Sequence, residues 1–273
     1  MKTLKDRVAV VTGAGSGIGK ATAIELARKG AHLALADIKE EGIRATAKEI
    51  EALGRKTSLH VVDVADKKRW ETFPGEVLKA HGKVNVVVNN AGVGVAASFE
   101  NHTIEDWEWI VGINLWGVVY GCTFFLPHIK QAGEGHIVNI SSLAGIVPSP
   151  TMPSYCATKF AVRGLTESMR PELAKLGIGV TSVHPGMINT NIPKATRFKG
   201  PKAEKLQAQG AALFERLGHP PEKVAKKIAD GILKNKARVL IGPETYVFDA
   251  FKRALPVQSD RIISQLGFLG ERR

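Results

Sequence analysis

Short, nearly continuous apolar runs alternate along the chain with stretches in which apolar residues recur every three or four positions. The runs at 7–12, 31–36, 57–62, 84–89, 135–141, 178–183 and 238–241 are mostly short and rich in Val and Ile, the pattern of strands covered on both faces. Helical stretches fall between them, at 17–29, 40–53, 66–81, 103–130, 154–175 and 222–235. Strand, helix and strand repeated in this order require crossover connections, which are right-handed and give a parallel sheet. The pattern predicts an α/β fold, a doubly wound parallel sheet of about seven strands with helices on both faces. No low-complexity segment, tandem repeat or Pro/Gly/Ser-rich linker interrupts it, so one domain spanning 1–273 is expected.

Two segments depart from the alternation. Residues 187–218 are polar and basic, broken by Pro193, Gly200 and Pro201 before a weak helical pattern at 203–217. An insertion that follows a strand in an open α/β sheet lies where ligands bind, so 187–218 is expected to cover the substrate. The end of the chain, about 244–273, has an amphipathic look, with Tyr246, Val247, Phe248, Phe251, Leu255, Ile262, Ile263, Leu266, Phe268 and Leu269 among Lys252, Arg253 and Arg261. Packing over the substrate entrance or on a neighbouring subunit accounts for it, and peripheral membrane contact is the less favoured alternative.

Composition narrows the class. The 273 residues hold only 2 Cys, Cys122 and Cys156, which excludes a disulfide scaffold or a cysteine-rich zinc domain. The formal net charge is +12, and residues 194–273 alone carry 17 Lys and Arg against 8 Asp and Glu. Those cations are scattered along helical patterns, as on a solvated surface, so no nucleic-acid partner is expected. The apolar run near the start, Val8 to Val11, is too short for a signal-peptide core, and no segment has roughly 18 consecutive apolar residues. A cytoplasmic location is the expectation.

The candidate chemistry lies at the strand ends. Thr12-Gly13-Ala14-Gly15-Ser16-Gly17-Ile18-Gly19 follows the first strand and opens the first helix. Glycines let the backbone approach a pyrophosphate, and the helix start offers unpaired N–H groups and a partial positive charge. Asp37 ends the second strand, where a carboxylate can accept both hydroxyls of an adenosine ribose and repel an added phosphate. Neither Ser16 nor Ile38 is basic, so NAD is favoured over NADP, with Lys39 the one nearby cation. Tyr155 and Lys159 are four residues apart on one helical face, where an ammonium favours the phenolate of a proton-trading tyrosine. Ser142 follows the strand at 135–141, and the equally polar Ser141 beside it cannot be told apart by spacing.

Together these residues resemble the short-chain dehydrogenase/reductase family, from about Lys5 to Gly242. The turn Thr12–Gly19, Asp63-Val64, Asn89-Asn90-Ala91-Gly92, Asn114, Ile140-Ser141-Ser142, Tyr155-x-x-x-Lys159 and Pro185-Gly186 followed by Thr190 stand in the family's order and spacing. The resemblance implies a Rossmann-type fold and a set of roles. Ser142 matches the serine that positions the substrate oxygen, and Tyr155 the acid/base. Lys159 would lower the tyrosine pKa and bind the nicotinamide ribose, and Asn114 would hold a water linking Lys159 to solvent. Gly13, Ser16, Gly17, Ile18 and Gly19 would meet the pyrophosphate side. Asp37 and Ile38 would meet the adenosine ribose, Asp63 and Val64 the adenine, and Asn90, Ala91 and Gly92 would form the wall beside the ribose. Pro185, Gly186, Ile188 and Thr190 would orient the nicotinamide. The branch of about 250 residues is mostly tetrameric or dimeric, with helices 103–130 and 154–175 commonly at subunit contacts.

Candidate pocket residues are Val93, Gly94 and Val95, the segment 143–152 including Met152, and Met187, Ile188 and Ile192. Most are apolar, with no acidic cluster or metal-ligand set, so the expected substrate is an apolar secondary alcohol or its ketone. Lys194 and Arg197 leave room for an anionic tail, and His184 reads as a strand-end residue rather than a ligand. The expectation is an NAD-dependent oxidoreductase. The alternatives are an NADPH-dependent ketoreductase, for example of 3-oxoacyl thioesters, and a dinucleotide-binding scaffold without turnover.

Overall fold

A computed structural model describes residues 1–201 and 203–259. In chain order the strands are β1 Val8–Thr12, β2 His32–Asp37, β3 Thr57–Val61, β4 Val86–Asn89, β5 Gly94–Ala96, β6 Gly135–Ile140, β7 Ile178–Pro185, β8 Thr196–Phe198 and β9 Arg238–Ile241. The helices are α1 Gly17–Arg28, α2 Glu40–Glu51, α3 Lys67–His81, α4 Ile104–Val111, α5 Gly117–Gln131, α6 Pro153–Ala174, α7 Ala203–Leu217, α8 Pro221–Leu233 and α9 Pro243–Ala254.

Seven strands form one parallel sheet in the order β3-β2-β1-β4-β6-β7-β9. The chain winds outward in one direction from β1 to β3 and in the other from β4 to β9. The crevice therefore opens above the carboxyl ends of β1 and β4, where the winding reverses. All seven expected sheet strands are present. The sequence pattern missed β5 and β8, three-residue strands that pair with each other in a separate small sheet, Gly94 to Thr196 through Ala96 to Phe198. Three residues are too few to show a period of two.

Why the strands read as continuous apolar runs is visible in β1. Ala9 and Val11 point into one layer, against Ile24, Ile43, Ile50 and Ile228 of the helices on that side. Val8 and Val10 point into the other, with Trp70, Phe73, Phe125 and Val162. Both faces are dry, so period-two side chains leave no polar position to alternate. Trp70, Phe73 and Phe125 meet edge-on at centroid separations of 5.2–6.2 Å.

The long helical stretch near the middle of the chain is one rod, Ile104–Gln131, with a π-helical turn at Gly112–Trp116 joining α4 to α5. Thr103 and Asp106 form a reciprocal capping box at its start. Its most apolar window has a mean hydropathy of 1.6, and 39% of that window is buried, so by length and composition alone the rod suffices to cross a membrane. Asp106 and Asn114 interrupt it, and Val118, Cys122, Phe125 and Ile129 seat it on the sheet. In the C-terminal part, Tyr246 and Val247 of α9 and Leu255 just beyond it are exposed. Arg261, Ile262, Ile263, Leu266, Phe268 and Leu269 of the amphipathic stretch lie outside the described residues.

Candidate active site

The crevice is built by backbone first. Thr12 ends β1, and its hydroxyl oxygen accepts from the N–H groups of Asn90 (3.0 Å) and Ala91 (3.1 Å), while Asn90 Nδ2 donates to Thr12 C=O at 2.9 Å. These bonds lock the glycine turn to the end of β4. A Cβ on Gly19 would fall 2.0 Å from the Gly13 carbonyl oxygen, and Gly13 itself sits at φ +65, so neither position accepts a side chain. Ser16 caps α1 without a side-chain hydrogen bond, which leaves the first-turn N–H groups free to receive an anion. Gly17 (φ +52) faces Thr190, whose Cβ would stand 3.2 Å from an added Cβ. The turn and the segment after β7 thus close on one space, which fits a dinucleotide pyrophosphate.

At the end of β2, Asp37 accepts from Gly15 N–H through Oδ2 and from Lys39 N–H through Oδ1, each at 3.0 Å. Its carboxylate is thereby fixed beside the turn, and Ile38 next to it is 62% exposed. Asp63 accepts from Ala65 N–H at 2.9 Å, and the Val64 carbonyl accepts from the indole of Trp70 at 3.0 Å, so this strand end is likewise pinned. The residues expected to meet a nicotinamide dinucleotide therefore line the carboxyl ends of β1 to β4 and β7, and their chemistry fits it.

Ser141 and Ser142, inseparable by spacing, part in the fold. Ser141 is buried and donates its hydroxyl to Lys159 C=O at 2.8 Å, which commits it to anchoring α6. Ser142 is half-buried at the crevice, where its Oγ accepts from Ala144 N–H at 3.1 Å and lies near enough to the Tyr155 phenol to hold its pKa down. Lys159 lies one helical turn beyond Tyr155, with Nζ 5.6 Å from the phenol ring centroid. Burial brings its pKa from 10.5 down to about 8.

Burial pushes the Tyr155 phenol above its ordinary value, and the nearby Ser142 hydroxyl opposes that shift. Lys159 Nζ, over the phenol ring, donates to the Ile140 carbonyl at 3.0 Å. Asn114 is fully buried in the π-helical turn, and its amide is engaged with the backbone of Val93 (2.9 Å both ways) and with Thr158 (3.3 Å). Its side chain binds the bend of the rod to β4's exit and to α6, and makes no bond to Lys159. A Cβ on Gly92 would touch both, at 3.3 Å from Asn114 Oδ1 and 3.5 Å from Lys159 Nζ.

Met152 stands at the N-cap of α6 and Met187 at the start of the cover, both half-buried. Three residues outside the cover, missed by sequence reasoning, hold it in place. Glu244 of α9 accepts from Met187 N–H at 3.2 Å and contacts His219 Nε2 at 3.4 Å, clasping both ends of the insertion. Asp106, 2% exposed, accepts from Lys199 and, at 3.3 Å, from Arg197. Burial alone would raise this carboxyl, but those bonds and the capping N–H of Thr103 take it down to about 2. The Arg197 guanidinium also lies 3.7 Å from the Trp109 ring centroid. Arg197 is thus committed to latching the cover, which leaves Lys194, exposed, as the cation available to an anionic tail. Only Asp106 had a readable signal, the Thr103-x-x-Asp106 capping box; Glu244 and His219 reach the site from distant segments.

The similarities agree with this geometry. The short chain dehydrogenase family model matches residues 7–199. SadH of Mycobacterium tuberculosis, named as an oxidoreductase, is 39% identical over 97% of this chain and 96% of its own length. A cyclohexanol dehydrogenase of an Acinetobacter species is 36% identical over 89% and 94%. A short chain dehydrogenase/reductase of Burkholderia phymatum, solved with NAD, superposes at a TM-score of 0.88 and 28% identity, covering 94% of this chain and 97% of the other. A metagenomic short-chain oxidoreductase solved with NADP gives 0.72 at 31%, over 87% and 97%. With the parallel sheet, the glycine turn and the Ser142, Tyr155 and Lys159 group in place, the chain belongs to the short-chain dehydrogenase/reductase family of oxidoreductases.

Proposed function

We propose that the protein is an NAD-dependent dehydrogenase that interconverts an apolar secondary alcohol and its ketone. The observation that carries this reading is the placement of Lys159 Nζ 5.6 Å from the Tyr155 ring centroid, at the strand ends that also carry Ser142 and the glycine turn. A bound nicotinamide supplies the two-electron acceptor for the hydrogen on the carbinol carbon. The residues of the chain do the rest. Ser142 holds the substrate oxygen, and Tyr155 takes the hydroxyl proton during oxidation and returns it during reduction. Lys159, charged below about pH 8, places a positive charge next to the phenol from its buried position. Asp37, fixed by two backbone N–H groups, supports NAD, since an added 2′-phosphate would meet its carboxylate. The half-buried Met152 and Met187 beside the site support an apolar substrate, as does the likeness to a cyclohexanol dehydrogenase. Exposed aromatic residues on the outer faces of the rod and α6, Trp116 stacked on Tyr120 at 5.7 Å and Phe160 at 38% exposure, support a dimer or tetramer through those helices.

The test is cofactor reduction followed by absorbance, with NAD and NADP in parallel, against secondary alcohols graded from small diols to steroids. Turnover with NAD is the expected result. Turnover with NADPH and ketones alone would replace this reading with a ketoreductase, and no turnover with either would leave a binding scaffold.

A further inference from the structure

Strand β7 ends Ser182-Val183-His184-Pro185, and alternation puts the Ser182 and His184 side chains on one face. Backbone pairing with β6 stops at Ser141, whose N–H donates to the Val183 carbonyl at 2.8 Å. One residue further the chain leaves the sheet, and the Ser142 carbonyl passes beyond the reach of the ladder. His184 meets it there, with Nδ1 3.1 Å from the Ser142 carbonyl oxygen and Nε2 2.9 Å from the Ser182 hydroxyl. A carbonyl only accepts, so Nδ1 carries the proton and the Ser182 hydroxyl donates to Nε2. The ring is fully buried, and burial takes its pKa down to about 4, so the imidazole stays neutral with this one tautomer.

The geometry points to His184 as a positioning residue that, by holding the Ser142 carbonyl, sets the Ser142 hydroxyl opposite the Tyr155 phenol. The inference rests on the reading of Ser142 and Tyr155 as the reacting pair. Ser142 is otherwise tied within its own turn, by Ala144 N–H to its Oγ at 3.1 Å and by Gly145 N–H to its carbonyl at 3.0 Å. Without the imidazole that turn loses its side-chain tie to β7, and reacting groups displaced by about 1 Å lose on the order of 100-fold in rate.

The chain contains its own control. Ser58-Leu59-His60 on β3 repeats the unit, with Ser58 Oγ 2.7 Å from His60 Nε2. There Nδ1 faces Glu76 Oε2 at 3.0 Å, and Arg69 holds that carboxylate at 2.8 and 2.7 Å. The edge-strand unit thus ties β3 to a helix, while the one on β7 ties a strand to the reactive serine. The local motif is shared, and the partner of Nδ1 decides what it does.

The experiment compares kcat, KM and cofactor affinity in six variants. His184→Leu is expected to lose about 10–100-fold in kcat with cofactor affinity within about twofold of the parent. His184→Asn, whose amide N–H stands near the place of Nδ1, is expected to recover most of that loss. His184→Gln, whose amide reaches one bond too far, is not. Ser142→Ala/His184→Leu is expected to be no slower than Ser142→Ala alone, because both changes act through one hydroxyl. His60→Leu is expected to lower the melting temperature and leave kcat unchanged. The inference is overturned if His184→Leu keeps kcat within about twofold while Ser142→Ala loses turnover, or if the two losses multiply. Should His184→Leu not fold, equal activity of the Asn and Gln variants overturns it. Full turnover in Ser142→Ala has a separate signature: it removes the reacting pair itself, and the role of His184 with it.

Discussion

Helices α1 and α7 both border the crevice, and they are built in opposite ways. Helix α1 buries eight of its twelve residues, from Gly19 to Ala27, between the sheet and α8. Helix α7 buries none of its fifteen, and Leu206, Leu213 and Leu217 are 39–55% exposed. One side of the site is therefore core, held by packing that a local fluctuation cannot undo without unfolding the sheet. The other is held by a few discrete ties: the three-residue β5–β8 pairing, the Asp106 latch and the Glu244 clasp. On the function proposed above, the contrast puts the cofactor on the fixed side and the substrate on the adjustable one, the division expected where low local stability serves entry and release.

The contrast can be broken at its strongest point first. Tyr155 stands on the fixed side, on α6, and Tyr155→Phe removes the proton carrier without touching the nucleotide cleft. Turnover is expected to fall by about 100- to 10,000-fold, with NAD binding by fluorescence titration unchanged. Gly19→Ala attacks the turn itself. A methyl 2.0 Å from the Gly13 carbonyl cannot be accommodated by rotation, and overpacking of about 1–3 kcal/mol corresponds to roughly 5- to 150-fold weaker cofactor binding. A cofactor affinity within twofold of the parent would show that this side is softer than its burial implies.

Asp37→Ala sharpens the cofactor half of the comparison. Loss of charged hydrogen bonds, about 1.5–3 kcal/mol, is expected to weaken NAD while NADP is spared or improved, so the ratio of their kcat/KM values contracts. An unchanged ratio would remove Asp37 from cofactor selection.

Lys159→Met separates stability from function. The folded pKa of about 8 lies below the ordinary 10.5, so below pH 8 the folded state carries a buried ammonium at a cost. Between about 8 and 10.5 the unfolded chain binds more protons, and stability rises with pH. The variant is expected to abolish turnover yet gain about 1–2 kcal/mol at pH 6 to 7, after allowance for the lost bond to Ile140. Denaturant titration at several pH values would show that gain shrinking above pH 8.

The smallest effect belongs to the cover. Asp106→Asn removes the charge shared by Arg197 and Lys199, whose side chains are 44% and 33% exposed. Solvent screening limits the loss to about 1 kcal/mol, expected as a rise in KM of roughly fivefold with kcat unchanged. The carboxyl titrates near 2, below its ordinary 3.8, so its contribution is complete above pH 4 and lost only as pH falls toward 2. The KM difference should accordingly be constant from pH 5 to 9, by steady-state kinetics.

Legibility in the sequence followed the same division. The strands at 7–12 and 84–89, the turn Thr12–Gly19 and the Tyr155, Lys159 spacing were readable because each is a local pattern with one structural solution. Spacing did not choose between Ser141 and Ser142, since both hydroxyls follow the same strand; the family resemblance pointed to Ser142, and in the fold the Lys159 carbonyl takes the Ser141 hydroxyl. Nor was the state of Tyr155 readable, because it depends on how deeply α6 packs. The cover had a weak helical pattern, but its ties run from Arg197 to Asp106 and from Met187 to Glu244, across 91 and 57 residues.

By itself the sequence determined the sheet, its parallel winding, the place of the crevice and the residues that stand around it, because hydrophobic period, glycine and helix start act over a few residues. Only the tertiary structure decided what holds the Ser142 carbonyl, how burial moves Tyr155 and Lys159, and what latches the cover. Those outcomes depend on desolvation and on hydrogen bonds between distant segments, and neither exists until the layers close.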